Sequence, residues 1–190
     1  MRNIAALVCL LGLLGAIPAQ ASGLQDVFGR EVPIGEGRPA VVLYANKGTR
    51  DALKKTAYQF VYDVRAEKPI VVIRVDLRDV PGLFKGMAKG EIKKSHRESL
   101  ELMKDLFARR GEAPPAELES SLYMVADTKG EPHQSLGLQK GFDQVFAQVL
   151  SPEGHELARG PFPQSARALG RAISAVPDLN APARVAGRAR

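Results

Sequence analysis

Residues 39–64 constrain the fold more than any other part of this sequence. A continuous apolar run over residues 40–45 ends in a polar turn at residues 46–51. The run lacks the alternation of a half-buried strand, which indicates a central strand covered on both faces. Apolar side chains then recur at three- and four-residue spacing, the pattern of an amphipathic helix. The segment predicts a buried strand followed directly by a helix, with Thr49 or Asp51 as its cap.

The first residues predict a secretory signal peptide, residues 1–21. A short basic start precedes an apolar stretch over residues 4–17, and Ala19-Gln20-Ala21 supplies a cleavage signal. An uncleaved N-terminal anchor is the alternative. Cys9, the only cysteine, lies inside the apolar stretch, so the mature chain would have no thiol for redox chemistry or metal binding. The expected location is periplasmic or secreted.

The remaining sequence predicts one α/β domain over residues 22–176. A second β-branched run, residues 70–77, follows the helix, and strand, helix and strand at this spacing form a parallel βαβ unit. We then expect a loop at residues 78–91, a long helix at 91–110, a strand at 122–126, a hairpin at 141–160 and a helix at 164–176. No further apolar segment is long enough to span a membrane. Residues 177–190, rich in Ala, Pro and Arg, are expected to form a disordered basic tail.

Charge gives a weaker indication of partners. The chain has 27 basic and 21 acidic residues, a net charge of +6. Anionic lipid, cell-wall polymer or an acidic partner would suit this excess, although interleaved acidic residues favour an ordinary solvated surface. No base-reading or stacking motif is present, so no nucleic-acid partner is expected. Leu83, Phe84 and Met87 are expected to fold back over the core, with a partner-binding patch as the alternative.

The predicted order is strand, helix, strand, long helix, strand, hairpin and closing helix. This order resembles the thioredoxin-like superfamily over residues 24–176. The hairpin turn at residues 151–154 supports the resemblance, and residues 26–29 with 41–44 are similar to the opening of redoxin-type members. The resemblance implies a three-layer α/β/α fold with a mixed central sheet. An exported chain with this layout and no cysteine after the signal peptide is also similar to the YtfJ-like exported proteins.

The redox motif of that superfamily is missing here. By resemblance, its Cys-x-x-Cys slot falls on Gly48, Thr49, Arg50 and Asp51, and none of these is a thiol. The cis-proline slot falls near Asp143 or Gln144, where no proline stands. A threonine hydroxyl is a weak nucleophile without an adjacent base. The turn could bind a small anion through backbone N–H groups and Arg50, although Asp51 opposes that charge and a plain capping turn is simpler.

Other chemical motifs are few. Asp76 and Asp79 follow a predicted strand, and with Asp143 they form a possible cleft. An acid–base pair is conceivable there, but the alternating arginines Arg74 and Arg78 favour ion pairs. The histidines lack metal-ligand spacing and are expected on the surface or a helix face: His96, His133 and His155. No metal or other cofactor is expected.

Three functions remain open from the sequence. The first is an exported, non-redox binding or accessory module, whose partner would be an envelope protein, a peptide or a small anionic ligand. The second is a redoxin-derived enzyme that uses non-thiol chemistry through Thr49, Arg50 and Asp76. The third is a structural, envelope-associated module that uses the basic helix and tail.

Overall fold

The computed structural model describes residues 23–176, so the predicted signal peptide and basic tail lie outside the described residues. Its strands are β1 (Ala40–Ala45), β2 (Ile70–Asp76), β3 (Leu122–Asp127), β4 (Val145–Leu150) and β5 (Glu156–Phe162). Helix α1 covers residues 50–63 and includes a π-helical segment, Leu53–Ala57. The other α-helices are α2 (Lys85–Arg109), α3 (Leu118–Ser121), α4 (Glu131–Ser135) and α5 (Ala166–Ser174), with 3₁₀ turns at Arg65–Glu67 and Gly82–Phe84.

The five strands form one mixed sheet in the order β3-β2-β1-β4-β5. Strands β1, β2 and β3 run parallel, whereas β4 is antiparallel to β1 and β5 is antiparallel to β4. A central β1 whose six residues are all buried agrees with its unbroken apolar sequence. This sheet, with its βαβ unit, C-terminal hairpin and closing helix, confirms the predicted thioredoxin-like α/β architecture. The carboxyl ends of the three parallel strands lie together, and we call this side the carboxyl edge.

The two faces of the sheet are covered unequally. Helices α1, α2 and α5 pack on one face, where Leu53, Met103 and Leu169 join the odd-numbered residues of β1 in a single apolar core. The opposite face is covered by the N-terminal segment and by residues around α4, including Val32 and Leu136. Polar side chains of the carboxyl edge lie on this thinner side, since the alternation along a strand sends every second residue there.

Helix α2 begins earlier than the sequence predicted. The expected loop at residues 78–91 contains a 3₁₀ turn, and the α-helix starts at Lys85 instead of Glu91. Gly86 and Gly90 suggested a loop, but both take up helical positions. The intervening Met87, Ala88 and Lys89 are good helix formers, which offsets the cost of about 1 kcal/mol for each glycine relative to alanine.

Candidate functional site

The turn that occupies the expected redox slot is closed by its own hydrogen bonds. Thr49 is 1% exposed. Its backbone N–H donates to Asn46 Oδ1 at 3.0 Å, and its Oγ1 accepts from the Asn46 backbone N–H at 2.8 Å. Asn46 Nδ2 in turn donates to the Phe142 carbonyl at 2.7 Å. The Thr49 hydroxyl is therefore held within the turn, away from solvent.

The predicted helix cap is wrong in its details. Thr49 is the residue before the first helical position of α1, but its side chain accepts no hydrogen bond from the helix. Its hydroxyl bonds Asn46 instead, because the turn folds back on itself before the helix starts. Asp51 lies within the first turn of α1 and is exposed. The helix start is stabilised by a turn closed on Asn46 and not by a capping side chain.

Arg50 is engaged by an acidic side chain of α2. Its Nη2 lies 2.7 Å from Glu98 Oε2, and Lys54 Nζ lies 2.9 Å from the same oxygen. Hydrogen bonding from Lys54, together with the nearby charge of both cations, holds the pKa of Glu98 below its usual range. Any small anion at this turn would have to compete with Glu98 for Arg50.

Asp76 forms a tight ion pair at the end of β2. Arg78 Nε donates to both of its carboxylate oxygens at 2.9 and 3.0 Å, and Arg78 Nη2 lies 2.6 Å from Oδ2. Burial acts to raise the pKa of Asp76, but the Arg78 hydrogen bonds and charge outweigh burial and lower it. The expected ion pair is thus confirmed for Asp76, and its carboxylate is ionised at neutral pH.

The other two carboxylates of the expected cleft are placed differently. Asp79 and Asp143 are both exposed. The Asp79 carboxylate lies beside Gly141, so the connection after β2 runs next to the segment that enters β4. Asp76 is directed into its ion pair with Arg78, which separates its chemistry from that of the two exposed residues. The three side chains do not form a set of free carboxylates around one cleft.

A buried polar cluster that the sequence did not reveal lies beside Asp76. Asp127 is the β3 residue in register with Asp76. Its Oδ2 is 2.8 Å from His133 Nδ1, its Oδ1 accepts from the Gly130 N–H at 2.7 Å, and Arg74 Nη2 lies 3.9 Å away. Burial raises the pKa of Asp127, but hydrogen bonds from His133 and Gly130 outweigh it, so the pKa is lowered overall.

The sequence predicted a position for His133 on the surface or on a helix face. His133 does lie on α4, but its side chain is fully buried. Its side chain has no exposed area, and its Nε2 lacks a hydrogen-bond partner within residues 23–176. The Tyr44 ring packs edge-on at 5.2 Å between centroids, and burial raises the pKa of Tyr44 to about 12. An Asp–His pair can orient a general base, but a base needs access to substrate, which this imidazole lacks. The cluster is a polar part of the core.

His96 is also buried, on the face of α2 that meets the sheet. It is 4% exposed, and its Nε2 lies 3.1 Å from the Leu122 carbonyl oxygen. Burial lowers the pKa of His96 below its ordinary value. His155 is the histidine that is exposed, as predicted. Among the described residues, no group of three or more His, Cys, Asp and Glu side chains could hold a metal ion.

Three apolar side chains stand exposed near the carboxyl edge, and we call them the apolar patch: Leu83, Phe84 and Met87. Their exposed fractions are 88%, 49% and 71%. They lie on the 3₁₀ turn and first helical turn that follow β2. The expectation that they fold back over the core is wrong, because all three side chains are exposed.

Two pockets lie away from all of these residues. A cavity of about 150 Å³ opens at the amino ends of the parallel strands, with an apolar lining that includes Val61, Met103 and Phe107 and cations Arg38 and Lys68 at its sides. A second hollow lies between the hairpin turn and α5. Neither is lined by the redox-slot residues, by the possible cleft or by the apolar patch.

Comparison with known proteins gives similarity in structure only. No protein-family model and no curated protein matches this sequence. The exposed lipoprotein thioredoxin of Streptococcus pneumoniae is 12% identical, with a TM-score of 0.44 over 80% of this chain and 96% of that one. StoA of Bacillus subtilis is 11% identical, with a TM-score of 0.45 over 78% of this chain and 92% of that one.

A third similar structure is the N-terminal domain of PilB from Neisseria gonorrhoeae. It is 14% identical, with a TM-score of 0.46 over 82% of this chain and 91% of that one. These similarities are weak, and the assignment of the fold rests on the strand order and pairing described above. No helix within residues 23–176 is long and apolar enough to cross a bilayer. The chain has a thioredoxin-like fold.

Proposed function

We propose that this chain is an exported, non-redox thioredoxin-like domain that acts as a binding or accessory module. The observation that carries the proposal is the state of the redox slot. Gly48, Thr49, Arg50 and Asp51 provide no thiol, and Thr49 is buried with its hydroxyl bonded to Asn46. Thiol–disulfide exchange requires an accessible thiolate, and the sole cysteine, Cys9, lies within the proposed signal peptide.

The binding surface we propose lies at the carboxyl edge of the sheet. Ligands of open α/β sheets bind outside the carboxyl ends of parallel strands. On this protein the apolar patch is the part of that edge where large apolar side chains remain exposed. Large exposed apolar side chains grouped together are typical of interaction surfaces. The neighbouring polar groups are bonded among themselves, which favours the apolar patch over the redox slot as the contact region.

The enzymatic alternative has less support. It would use Thr49, Arg50 and Asp76, and each of these is committed to another group: Thr49 to Asn46, Arg50 to Glu98 and Asp76 to Arg78. None of them lines either pocket described above. The third function, a structural, envelope-associated module, would use the same basic helix as the binding module. The two functions differ in that only the binding module requires a specific partner.

Thiol chemistry gives the direct test. The purified chain without residues 1–21 would be assayed for insulin disulfide reduction and peroxide turnover. We expect no turnover, and clear turnover would refute the non-redox assignment. The Gly48→Cys/Asp51→Cys variant restores a Cys-x-x-Cys spacing at two exposed positions and serves as the matched control. Activity in the variant alone would show that the scaffold can present thiols and that their absence is decisive.

Export and cleavage need a separate test. We propose cleavage after Ala21, so N-terminal sequencing of the protein recovered from the envelope fraction should begin at Ser22. An Ala21→Arg variant would block the small-residue site, and the precursor should then accumulate. Recovery of the full-length chain in the cytoplasm of cells expressing the unaltered protein would contradict export.

A further inference from the structure

The apolar patch continues along α2 as a basic surface. Residues 83–97 contain five cations, Lys85, Lys89, Lys93, Lys94 and Arg97, and one acidic residue, Glu91. Met87, Gly90 and Lys94 follow one another at three and four residues, a spacing that places them on the same side of the helix. All three are exposed. By the same spacing Arg97 also lies on this side, as does the acidic Glu91, whereas Lys89 does not. This side of α2 therefore presents Met87 at its start and the cations Lys94 and Arg97 two to three turns later.

Most of this positive charge is free. Lys89, Lys94 and Arg97 form no ion pair within residues 23–176, in contrast to Lys54 and Arg50, which share Glu98. Lys85 donates to the Thr128 carbonyl at 3.0 Å, which fixes the start of the helix to the loop after β3. Free cations beside exposed apolar groups match a surface that is both anionic and apolar.

The form of the surface favours a lipid bilayer over a folded protein. Leu83 and Met87 protrude, with 88% and 71% of their area exposed, and they line neither pocket. A stable protein interface involves about 20–30 residues on each side, whereas the apolar patch has three side chains. Shallow insertion of a few apolar side chains, supported by flanking lysines, is sufficient for reversible association with an anionic membrane.

We propose that the apolar patch, together with Lys94 and Arg97, docks this protein on the surface of an anionic lipid bilayer. Leu83 and Met87 enter the boundary between headgroups and acyl chains. Lys94 and Arg97 extend their apolar stems along that boundary and keep their charged groups at the lipid phosphates. The proposal deepens the proposed binding function, on which it rests, by naming the partner as a lipid surface.

Vesicle sedimentation tests the proposal with the chain that lacks residues 1–21. Vesicles of phosphatidylglycerol and phosphatidylcholine in equal amounts would be compared with vesicles of phosphatidylcholine alone. We expect binding to the anionic vesicles to be at least about tenfold tighter and to weaken as salt is raised. Equal binding to both kinds of vesicle, or binding to neither, would overturn the proposal.

Variants separate the two contributions. Leu83→Ser/Met87→Ser should weaken binding to the anionic vesicles at least about tenfold, since two apolar side chains no longer insert. Lys94→Glu/Arg97→Glu should weaken it by a similar factor and reduce its salt dependence. Leu157→Ser is the matched control, because Leu157 is also exposed, at 41%, but lies on β5. An equal loss in Leu157→Ser would assign the binding to general surface apolarity and refute the site.

The same experiment can distinguish failure of the lipid proposal from failure of the binding function. A photo-crosslinking side chain at Met87 would be activated in the presence of the envelope fraction and of the purified vesicles. Lipid adducts support the proposal. A protein adduct without vesicle binding overturns the lipid proposal and leaves the binding module standing. Absence of both adducts contradicts both.

Discussion

Two connections leave neighbouring parallel strands at the same edge of the sheet, and they are built in opposite ways. The turn after β1 is closed: Asn46 bonds to Thr49 and reaches Phe142 at the entrance to β4. The connection after β2 first closes on itself through Asp76 and Arg78, then opens into the apolar patch. The carboxyl edge therefore contains polar groups that are hydrogen-bonded to one another and, a few residues away, exposed apolar side chains.

This difference predicts that substitutions in the two connections affect different properties, stability in one case and binding in the other. Buried polar groups that are bonded to one another resist substitution, because the removal of one partner leaves another unsatisfied. Exposed apolar side chains contribute little to the folded state, so they can be exchanged with little loss of stability. We therefore expect substitutions of the hydrogen-bonded polar groups to alter the free energy of unfolding, and substitutions in the apolar patch to alter binding alone.

The largest expected effect comes from the buried cluster. Asp127→Ala would leave His133, the Gly130 N–H and Arg74 without their shared acceptor. We expect the free energy of unfolding to fall by about 3–5 kcal/mol, as for other broken buried pairs. Urea denaturation would measure it. Lys129→Ala, at a neighbouring exposed position, is the control, and a loss for Asp127→Ala below about 1 kcal/mol would contradict the account.

The next largest effect concerns the turn after β1. Asn46→Ala would remove the acceptor of the Thr49 N–H and the donor to the Phe142 carbonyl. We expect a loss of about 2–3 kcal/mol, because each buried group left unpaired carries a desolvation cost. Lys47→Ala alters the same turn at an exposed residue and should change stability little. A similar loss of unfolding free energy in both variants would show that the Asn46 hydrogen bonds do not stabilise the turn.

Low pH is expected to lower the free energy of unfolding by a smaller amount. The pKa values of Asp76 and Asp127 are lowered in the folded protein. Their stabilisation is fully present above the ordinary carboxyl pKa of about 4 and is lost as pH falls through the lowered folded values. Stability measured in urea should therefore decline below about pH 4. A curve that is flat or rises towards pH 3 would show that these carboxylates are not specifically stabilised.

The smallest effect on stability belongs to the apolar patch. Leu83→Ser should change the free energy of unfolding by no more than about 0.5 kcal/mol, because Leu83 is 88% exposed. Leu53→Ala, a truncation at a leucine that is 5% exposed, should cost about 2–4 kcal/mol. Thermal and urea unfolding of both variants would check this contrast. A large loss for Leu83→Ser would mean that the patch is part of the core.

Much of the fold was accessible from sequence because apolar runs and helical spacing determined it. Strand β1 was predicted with its observed bounds, and the apolar face of α1, including Leu53 and Phe60, is buried as expected. The start of α2 was missed because glycines at residues 86 and 90 look like a loop in isolation. The later turns of α2 pack against the sheet and so stabilise the first turns of the same helix. The local sequence around the glycines contains no sign of this packing.

The polar groups of the carboxyl edge were predictable only in part. The Asp76–Arg78 pair follows from two residues separated by one position on the chain. The Asp127–His133 contact joins residues six apart, across a turn and the first half of a short helix, and it depends on the side chains meeting on the thinner face of the sheet. Pro132, in the first turn of that short helix and two residues after Gly130, was the available local signal. It predicts the helix but not the buried contact.

The π-helical segment of α1, Leu53–Ala57, has a consequence for chain length. A π-helical turn contains more residues than an α-helical turn, so α1 holds one residue more than a regular helix between the same two ends. Deleting Lys55, which is exposed, would allow the helix to continue with regular bonding while Phe60 keeps its side of the core. The same deletion within Tyr58–Asp63 would turn the following side chains away from the sheet. We therefore expect the unit between β1 and β2 to tolerate a one-residue deletion within Leu53–Ala57 without a change of register.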